Sequence, residues 1–255
     1  MGQVKESCIG IFDSGIGGFS ILKEIHKVMP GLDVLYVADE AFAPYGNRTQ
    51  EEVISRSRFI SKELIARGVT LIVVACNTAT AMAIDTLRKE FDIDFVGVEP
   101  FVNAISKFNL DHSAVITTEL MAKSDRFLSL KENYDTDGVL DYFVTKNLAS
   151  IIEKYFIDSS EEQLLESLEK ELSFLKESTY SSLILGCTHY PLISSHIEAI
   201  TGLRTISPCP YVAHRVLNLL GTSDNNTVSL EQFSMAKTSV DNSLRFVSKD
   251  FSNLV

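Results

Sequence analysis

Two segments of the chain carry the same arrangement: Leu71-Ile72-Val73-Val74-Ala75-Cys76-Asn77-Thr78 and Leu183-Ile184-Leu185-Gly186-Cys187-Thr188-His189. Each is an apolar run, then a small residue, a cysteine, and side chains bearing hydroxyl, amide or imidazole groups. An apolar run of this length followed by small and capping residues reads as a buried strand ending at a turn into a helix. Sites of α/β folds lie at the carboxyl ends of such strands. The two cysteines are 111 positions apart, close to half the chain, so two thiols are placed alike in two halves of one molecule. One thiol acting as a nucleophile with His189 as its base would give a hydrolase or transferase, and would leave the other thiol without a role. Two thiols flanking one carbon have a joint use: the thiolate removes a proton and the thiol delivers one to the opposite face, which is racemisation or epimerisation by two bases. The α-proton of an amino acid is a very weak acid, so such a site must also hold the substrate carboxylate with N–H and polar groups and exclude water.

The neighbouring residues suit this chemistry, and each also has a plain structural reading. Helix N-termini lower a thiol from its usual value of about 8.5, so both cysteines are expected to be activated in this way. Asn77, Thr78 and Thr80 after Cys76, and Thr188, His189 and Tyr190 after Cys187, are placed to cap the next helix or to bind a ligand. His189 is placed to share a proton with Cys187 or with substrate. Asp13-Ser14-Gly15-Ile16-Gly17-Gly18 is a glycine-rich turn. It lacks the dinucleotide fingerprint, because Ser20 stands where the third glycine belongs, and it lacks the lysine of a P-loop. Such a turn at a helix start still presents N–H groups to an anion such as a carboxylate; its other reading is a tight turn that needs glycine for steric reasons. Asp13 is either a helix cap or an acid at a strand tip, ready to bond a neighbour or a ligand ammonium. Cys8 and Cys209 read as small buried hydrophobes.

These residues must be positioned by alternating strands and helices. Patterning predicts strands over 8–12, 34–38, 71–75 and 95–98, with helices over 19–28, 51–67 and 80–91. The rhythm restarts with strands over 114–117, 140–144 and 182–185, and helices over 124–131 and 159–176. In the last helix Ser160 and Gln163 form a capping box and Leu164, Leu168, Leu172 and Leu175 form the buried stripe. Asp224-Asn225-Asn226 reads as a loop, and the tail from Gln232 to Val255 as a strand and a helix. The expected fold is α/β: two similar doubly wound domains with mostly parallel sheets and the site in the cleft between them. The first domain is expected over 1–98 plus 209–255, the second over 99–208.

Composition bounds the rest. The 255 residues are 45% hydrophobic and 22% charged, with a net charge of −11. So acidic a chain is a poor partner for nucleic acid. No apolar stretch reaches the roughly 18 residues of a membrane span. Met1 to Ser7 is polar and lacks a signal core, and Glu6 stands where a myristoylation site wants Ser or Thr. A cytoplasmic protein with no membrane partner is expected. Four cysteines in a chain of this size do not suggest a disulfide framework, and no Cys-x-x-Cys is present. No metal, flavin or nicotinamide site stands out, and paired thiols make a pyridoxal lysine unnecessary.

Four motifs, Phe12-Asp13-Ser14-Gly15-Ile16-Gly17-Gly18, Pro44-Tyr45-Gly46, Ala75-Cys76-Asn77-Thr78-Ala79 and Gly186-Cys187-Thr188-His189-Tyr190-Pro191, together resemble those of the glutamate racemases of the aspartate/glutamate racemase family. These are cofactor-independent enzymes that make D-glutamate for peptidoglycan. The resemblance covers essentially the whole chain. It implies two α/β domains enclosing the substrate, with Cys76 exchanging the proton on the D-glutamate side and Cys187 on the L-glutamate side. It implies Asp13 as the auxiliary acid near Cys76 and His189 as its counterpart near Cys187. Ser14, Tyr45, Gly46, Asn77, Thr78, Thr118 and Thr188 match substrate-holding positions, and Glu153 a further acidic one. Members of the family commonly dimerise, so a homodimer is among the expected assemblies. Three departures stand out. Met121 follows Thr118 where a second threonine is usual. Phe42 stands where an arginine or similar polar residue precedes Pro-Tyr-Gly. Asn147-Leu148 replaces the Cys-Pro before the acid-bearing helix. The first two bear on the pocket for the side-chain carboxylate, which keeps an aspartate racemase as an alternative. A small-molecule binding protein is the alternative of a different class.

Overall fold

Strand and helix alternate along nearly the whole chain in the computed structural model, which describes residues 8–108, 110–176, 178–221 and 231–253. Strand β1 (Cys8–Asp13) leads through the glycine turn to α1 (Phe19–Val28), followed by β2 (Asp33–Ala38), α2 (Gln50–Ile65), β3 (Leu71–Val74), α3 (Asn77–Glu90) and β4 (Asp94–Gly97). A short helix α4 (Ile105–Phe108) precedes β5 (Ser113–Thr117), α5 (Glu119–Ala122), α6 (Asp125–Tyr134), β6 (Leu140–Val144), α7 (Leu148–Asp158), α8 (Glu161–Leu172), β7 (Ser182–Gly186), α9 (Ser194–Thr201) and β8 (Arg204–Ile206). Then come α10 (Cys209–Leu220), β9 (Gln232–Lys237) and β10 (Val247–Asp250).

The strands form two sheets, ordered β10-β9-β2-β1-β3-β4 and β6-β5-β7-β8. Every pairing is parallel except that of β10 with β9. Both faces of each sheet are covered, which is why the strands are apolar runs and not alternating ones. In β1, Ile9 and Ile11 pack with α1 and α10, whereas Phe12 packs on the other face with α2 and α3. In the second sheet Ala114, Ile116, Leu183 and Leu185 pack under α7, α8 and α9, and Val115 and Ile184 pack against α6. The chain leaves β1 toward β2 on one side and adds β3 on the other, so strand order reverses between β1 and β3. It reverses again between β5 and β7. Helices on either side diverge at such switch points and leave a crevice beyond the strand ends. Asp13 ends β1, Cys76 follows β3, Thr118 follows β5 and Cys187 follows β7. The tertiary topology therefore puts the candidate residues of both halves at crevices.

The α8 stripe is as expected: Leu164, Leu168, Leu172 and Leu175 are all buried, and Ser160 with Gln163 forms the capping box. The helix is shorter than expected, ending at Leu172 in a 3-10 turn over Ser173–Leu175. Patterning assigns no strand or helix bounds between Cys187 and the tail, where the structure has α9, β8 and α10. The tail is corrected as well. Its described part is two strands and a single 3-10 turn over Phe251–Asn253, because Phe233 and Met235, two positions apart on β9, both point into the same core and β10 pairs along β9. The Asp224-Asn225-Asn226 loop and the segment up to Ser7 lie outside the described residues. None of the helices among the described residues is long and apolar enough to cross a membrane.

Candidate active site

The carboxyl ends of both sheets meet around a cavity of about 480 Å³ lined by both Cys76 and Cys187. Of the expected site residues, Ser14, Tyr45, Gly46, Asn77, Thr78, Thr118, Glu153, Thr188 and His189 line it too. Asp13 does not. It is fully buried one layer behind, accepting from the Thr188 hydroxyl at 2.9 Å and from the Gly15 N–H at 2.8 Å. The four cysteines are free thiols, and Cys8 and Cys209 lie away from the cavity.

Cys76 is the N-cap residue of α3, and its sulfur accepts from the Ala79 N–H at 3.5 Å. This helix start does not activate the thiol. Burial, and then the charge of Asp13, push Cys76 far above the usual thiol range, outweighing the N–H groups that favour the thiolate. Desolvation wins because the sulfur is almost fully buried, so Cys76 rests as a neutral thiol. Thr78 and Thr80 do not cap α3 either. The Thr78 hydroxyl meets that of Thr118 at 3.2 Å, linking the two halves across the cavity, and the Thr80 hydroxyl bonds the Val74 carbonyl.

Cys187 has different company. His189 Nδ1 lies 3.6 Å from its sulfur, and His189 Nε2 lies 2.6 Å from Glu153 Oε1. Burial pulls His189 down, but its hydrogen bonds to Cys187 and Glu153, with the charges of Cys187 and Asp13, lift it well above the usual histidine range. Burial pushes Glu153 up, and the bonds from His189 and the Ile16 N–H more than reverse that, leaving it below the usual carboxylate range. The proton thus sits on His189, held between a carboxylate and the Cys187 sulfur. The two thiols have unlike neighbours: Cys187 has the imidazole of His189 beside it, and Cys76 feels the charge of the buried Asp13.

The glycine turn takes a carboxylate, as its geometry suggested, but the carboxylate is the protein's own. Ile16 N–H donates to Glu153 Oε1 at 2.9 Å. A Cβ on Gly15 would lie 1.8 Å from that same oxygen, and one on Gly17 would lie 2.5 Å from His189 Nδ1. The glycines let the second half seat its acid and imidazole against the first. Neither Met121 nor Phe42 lines the cavity, which corrects the expectation that they reshape the pocket. Met121 is fully buried beside Phe101 and Phe127, and Phe42 lies against the guanidinium of Arg56. Sequence reasoning missed Arg56, whose signal was a charged residue on the inward stripe of α2 with Val53, Ile60 and Leu64.

Comparison with known proteins agrees with this arrangement. The chain is 35% identical over 224 residues to the glutamate racemase of Herpetosiphon aurantiacus, covering 87% of each chain. It is 36% identical over 216 residues to that of Roseiflexus sp., covering 83% of this chain and 79% of the other. The Escherichia coli glutamate racemase, solved with L-glutamate and the activator UDP-MurNAc-ala, superposes with a TM-score of 0.81 at 24% identity, over 92% of this chain and 90% of that one, and shows the shared fold. The Francisella tularensis glutamate racemase, solved with D-glutamate, gives a TM-score of 0.75 at 26% identity, over 92% and 89%. The Asp/Glu/Hydantoin racemase pattern matches residues 18–216. With two thiols at the strand ends of two α/β halves and relatives of this kind along most of its length, the chain belongs to the Asp/Glu/Hydantoin racemase family.

Proposed function

We propose that the protein interconverts L- and D-glutamate by a two-base mechanism without a cofactor. One observation carries this reading: two cysteines line one cavity, Cys187 beside the imidazole of His189 and Cys76 at the start of α3. In the resting site Cys187, beside protonated His189, is the base that takes the α-proton of L-glutamate. Cys76, held as a thiol by its buried surroundings, delivers a proton to the opposite face and yields D-glutamate. The reverse reaction exchanges the roles. The carbanionic intermediate is stabilised through the substrate carboxylate, for which Ser14, Thr78, Thr118 and Thr188 present hydroxyls around the cavity. The side-chain amide of Asn77 is buried with neither its nitrogen nor its oxygen bonded to protein among the described residues, and it lines the same cavity, where it can bond substrate. Asp13 acts through Thr188 and through its charge on Cys76. Glu153 orients His189.

The two-domain division at 98/99 and 208/209, supply of D-glutamate for peptidoglycan, cytoplasmic residence and a homodimer belong to the same proposal. Apart from cytoplasmic residence, which rests on composition, they rest on the resemblance to the glutamate racemases that the four motifs carry. Circular dichroism of pure L- and D-glutamate, and of L- and D-aspartate, with the purified protein tests the reaction. Turnover of glutamate is expected, and turnover of aspartate alone would overturn the substrate assignment. In deuterium oxide the α-position of glutamate should exchange, which a binding protein would not cause. Cys76→Ala and Cys187→Ala should each abolish racemisation, and a normal rate in either variant would refute the two-base mechanism.

A further inference from the structure

The loop that carries Pro44-Tyr45-Gly46 to the cavity has Phe42 where the resemblance leads one to expect an arginine or similar polar residue. A guanidinium is nevertheless there. It belongs to Arg56 of α2, and its central carbon lies 3.9 Å from the centre of the Phe42 ring and 4.9 Å from that of Phe59. Arg56 grips Asp39 with two bonds, Nε to Oδ2 at 2.9 Å and Nη2 to Oδ1 at 2.7 Å. Its remaining terminal nitrogen donates to Asn242. Asp39 Oδ2 also accepts from the Tyr45 hydroxyl at 2.5 Å. Asp39, Arg56 and Tyr45 are all buried, and of the three only Tyr45 lines the cavity. A two-pronged guanidinium–carboxylate pair fixes orientation as well as distance, and here it ends on a substrate-facing residue.

We propose that Arg56 is a positioning residue for substrate binding: its pair with Asp39 fixes Tyr45 and the loop at the cavity wall, and α2 thereby supplies the guanidinium that the loop lacks at Phe42. The proposal rests on the glutamate reading for its kinetic test only. A loop left free to sample other conformations must be ordered when substrate binds, so affinity falls while the chemical step is spared.

The test compares the wild type with Arg56→Leu, the double variant Phe42→Arg with Arg56→Leu, and Tyr45→Phe. Each is measured for thermal melting, for KM and kcat on both glutamate enantiomers, and for amide hydrogen exchange over residues 39–47. Arg56→Leu should raise KM about tenfold or more with kcat changed by less than about threefold, and should speed exchange in the loop. Restoring an arginine at position 42, three residues from Asp39, should recover most of the KM and the exchange protection. Unchanged KM and exchange in a folded Arg56→Leu protein would overturn the proposal. Failure of the double variant to recover either would overturn the claim that one guanidinium stands in for the other. If Arg56→Leu does not fold, Tyr45→Phe decides, since it removes a single hydroxyl: KM should rise about threefold with faster loop exchange, and no change in either refutes the idea. Exchange needs no substrate, so a wild type inert toward glutamate would defeat the glutamate reading and still leave the loop assignment answered.

Discussion

Replacing Gly17 by alanine tests whether the two halves must meet as closely as they do. Gly17 is not among the positive-φ glycines, so alanine fits the backbone and the penalty is steric. The new Cβ would lie 2.5 Å from His189 Nδ1, 2.7 Å from His189 Cε1 and 2.8 Å from the Thr188 hydroxyl. Ordinary contact begins near 3.4 Å, so the imidazole must retreat by roughly 0.9 Å. It is 5% exposed and tied to Glu153 at 2.6 Å, so it has little room in which to swing. Either the ring leaves its 3.6 Å contact with Cys187 or the two halves part. A displacement of about 1 Å at a reacting group costs on the order of 100-fold, and overpacking costs about 1–3 kcal/mol of stability. Gly17→Ala should therefore stay folded, melt somewhat lower, and lose about two orders of magnitude in kcat/KM. Racemisation has an equilibrium constant of one, so kcat/KM must fall equally for L- and D-glutamate, which circular dichroism in both directions checks. A folded Gly17→Ala protein with wild-type kcat/KM would show that the contact is not needed, and the assignment of His189 to Cys187 would fall with it.

Glu153→Gln should act through pH. His189 is raised by its partners, so removing one lowers it, and the basic limb of the kcat profile should move to lower pH; a limb that stays in place refutes the link. The same pair contributes to stability. The His189 part is fully present below its ordinary value of 6.5 and is lost as pH rises through the raised one, whereas the Glu153 part is present above its ordinary 4.5 and is lost as pH falls through the lowered one. Urea titrations should therefore show the largest loss in Glu153→Gln between about pH 4.5 and 6.5, and a uniform loss at every pH would contradict this. Asn77→Ala removes an amide that no group among the described residues satisfies, so KM should rise about tenfold or more with little loss of stability; destabilisation without a change in KM would mean that the amide serves the fold. Leu168→Ala, at the centre of the α8 stripe, should cost about 2–5 kcal/mol in urea unfolding with kcat near normal, and a cost under about 1 kcal/mol would show that the stripe is not core.

The sequence by itself determined what depends on near neighbours. The apolar runs that end at Cys76 and Cys187 are fully buried strands, and the Leu164 to Leu175 spacing is a buried helix face. These patterns are local because a strand or helix shows its buried face within a few residues. The four motifs contain Ser14, Tyr45, Gly46, Asn77, Thr78, Thr188 and His189 of the lining for the same reason, since each motif is a short contiguous segment, whereas Thr118 and Glu153 lie outside them. Tertiary structure decided the partnerships. Ile16 meets Glu153 across 137 positions and Thr188 meets Asp13 across 175, contacts that exist only once two sheets place their carboxyl ends face to face. It also decided protonation. A helix start after each strand suggested two activated thiols, but desolvation belongs to the assembled site, and there burial with Asp13 keeps Cys76 protonated while Glu153 keeps the proton on His189 beside Cys187. Arg56 shows the same division: its charge on an apolar stripe is visible in the sequence, whereas the carboxylate it grips and the phenyl ring beneath it are set by how α2 packs against the loop.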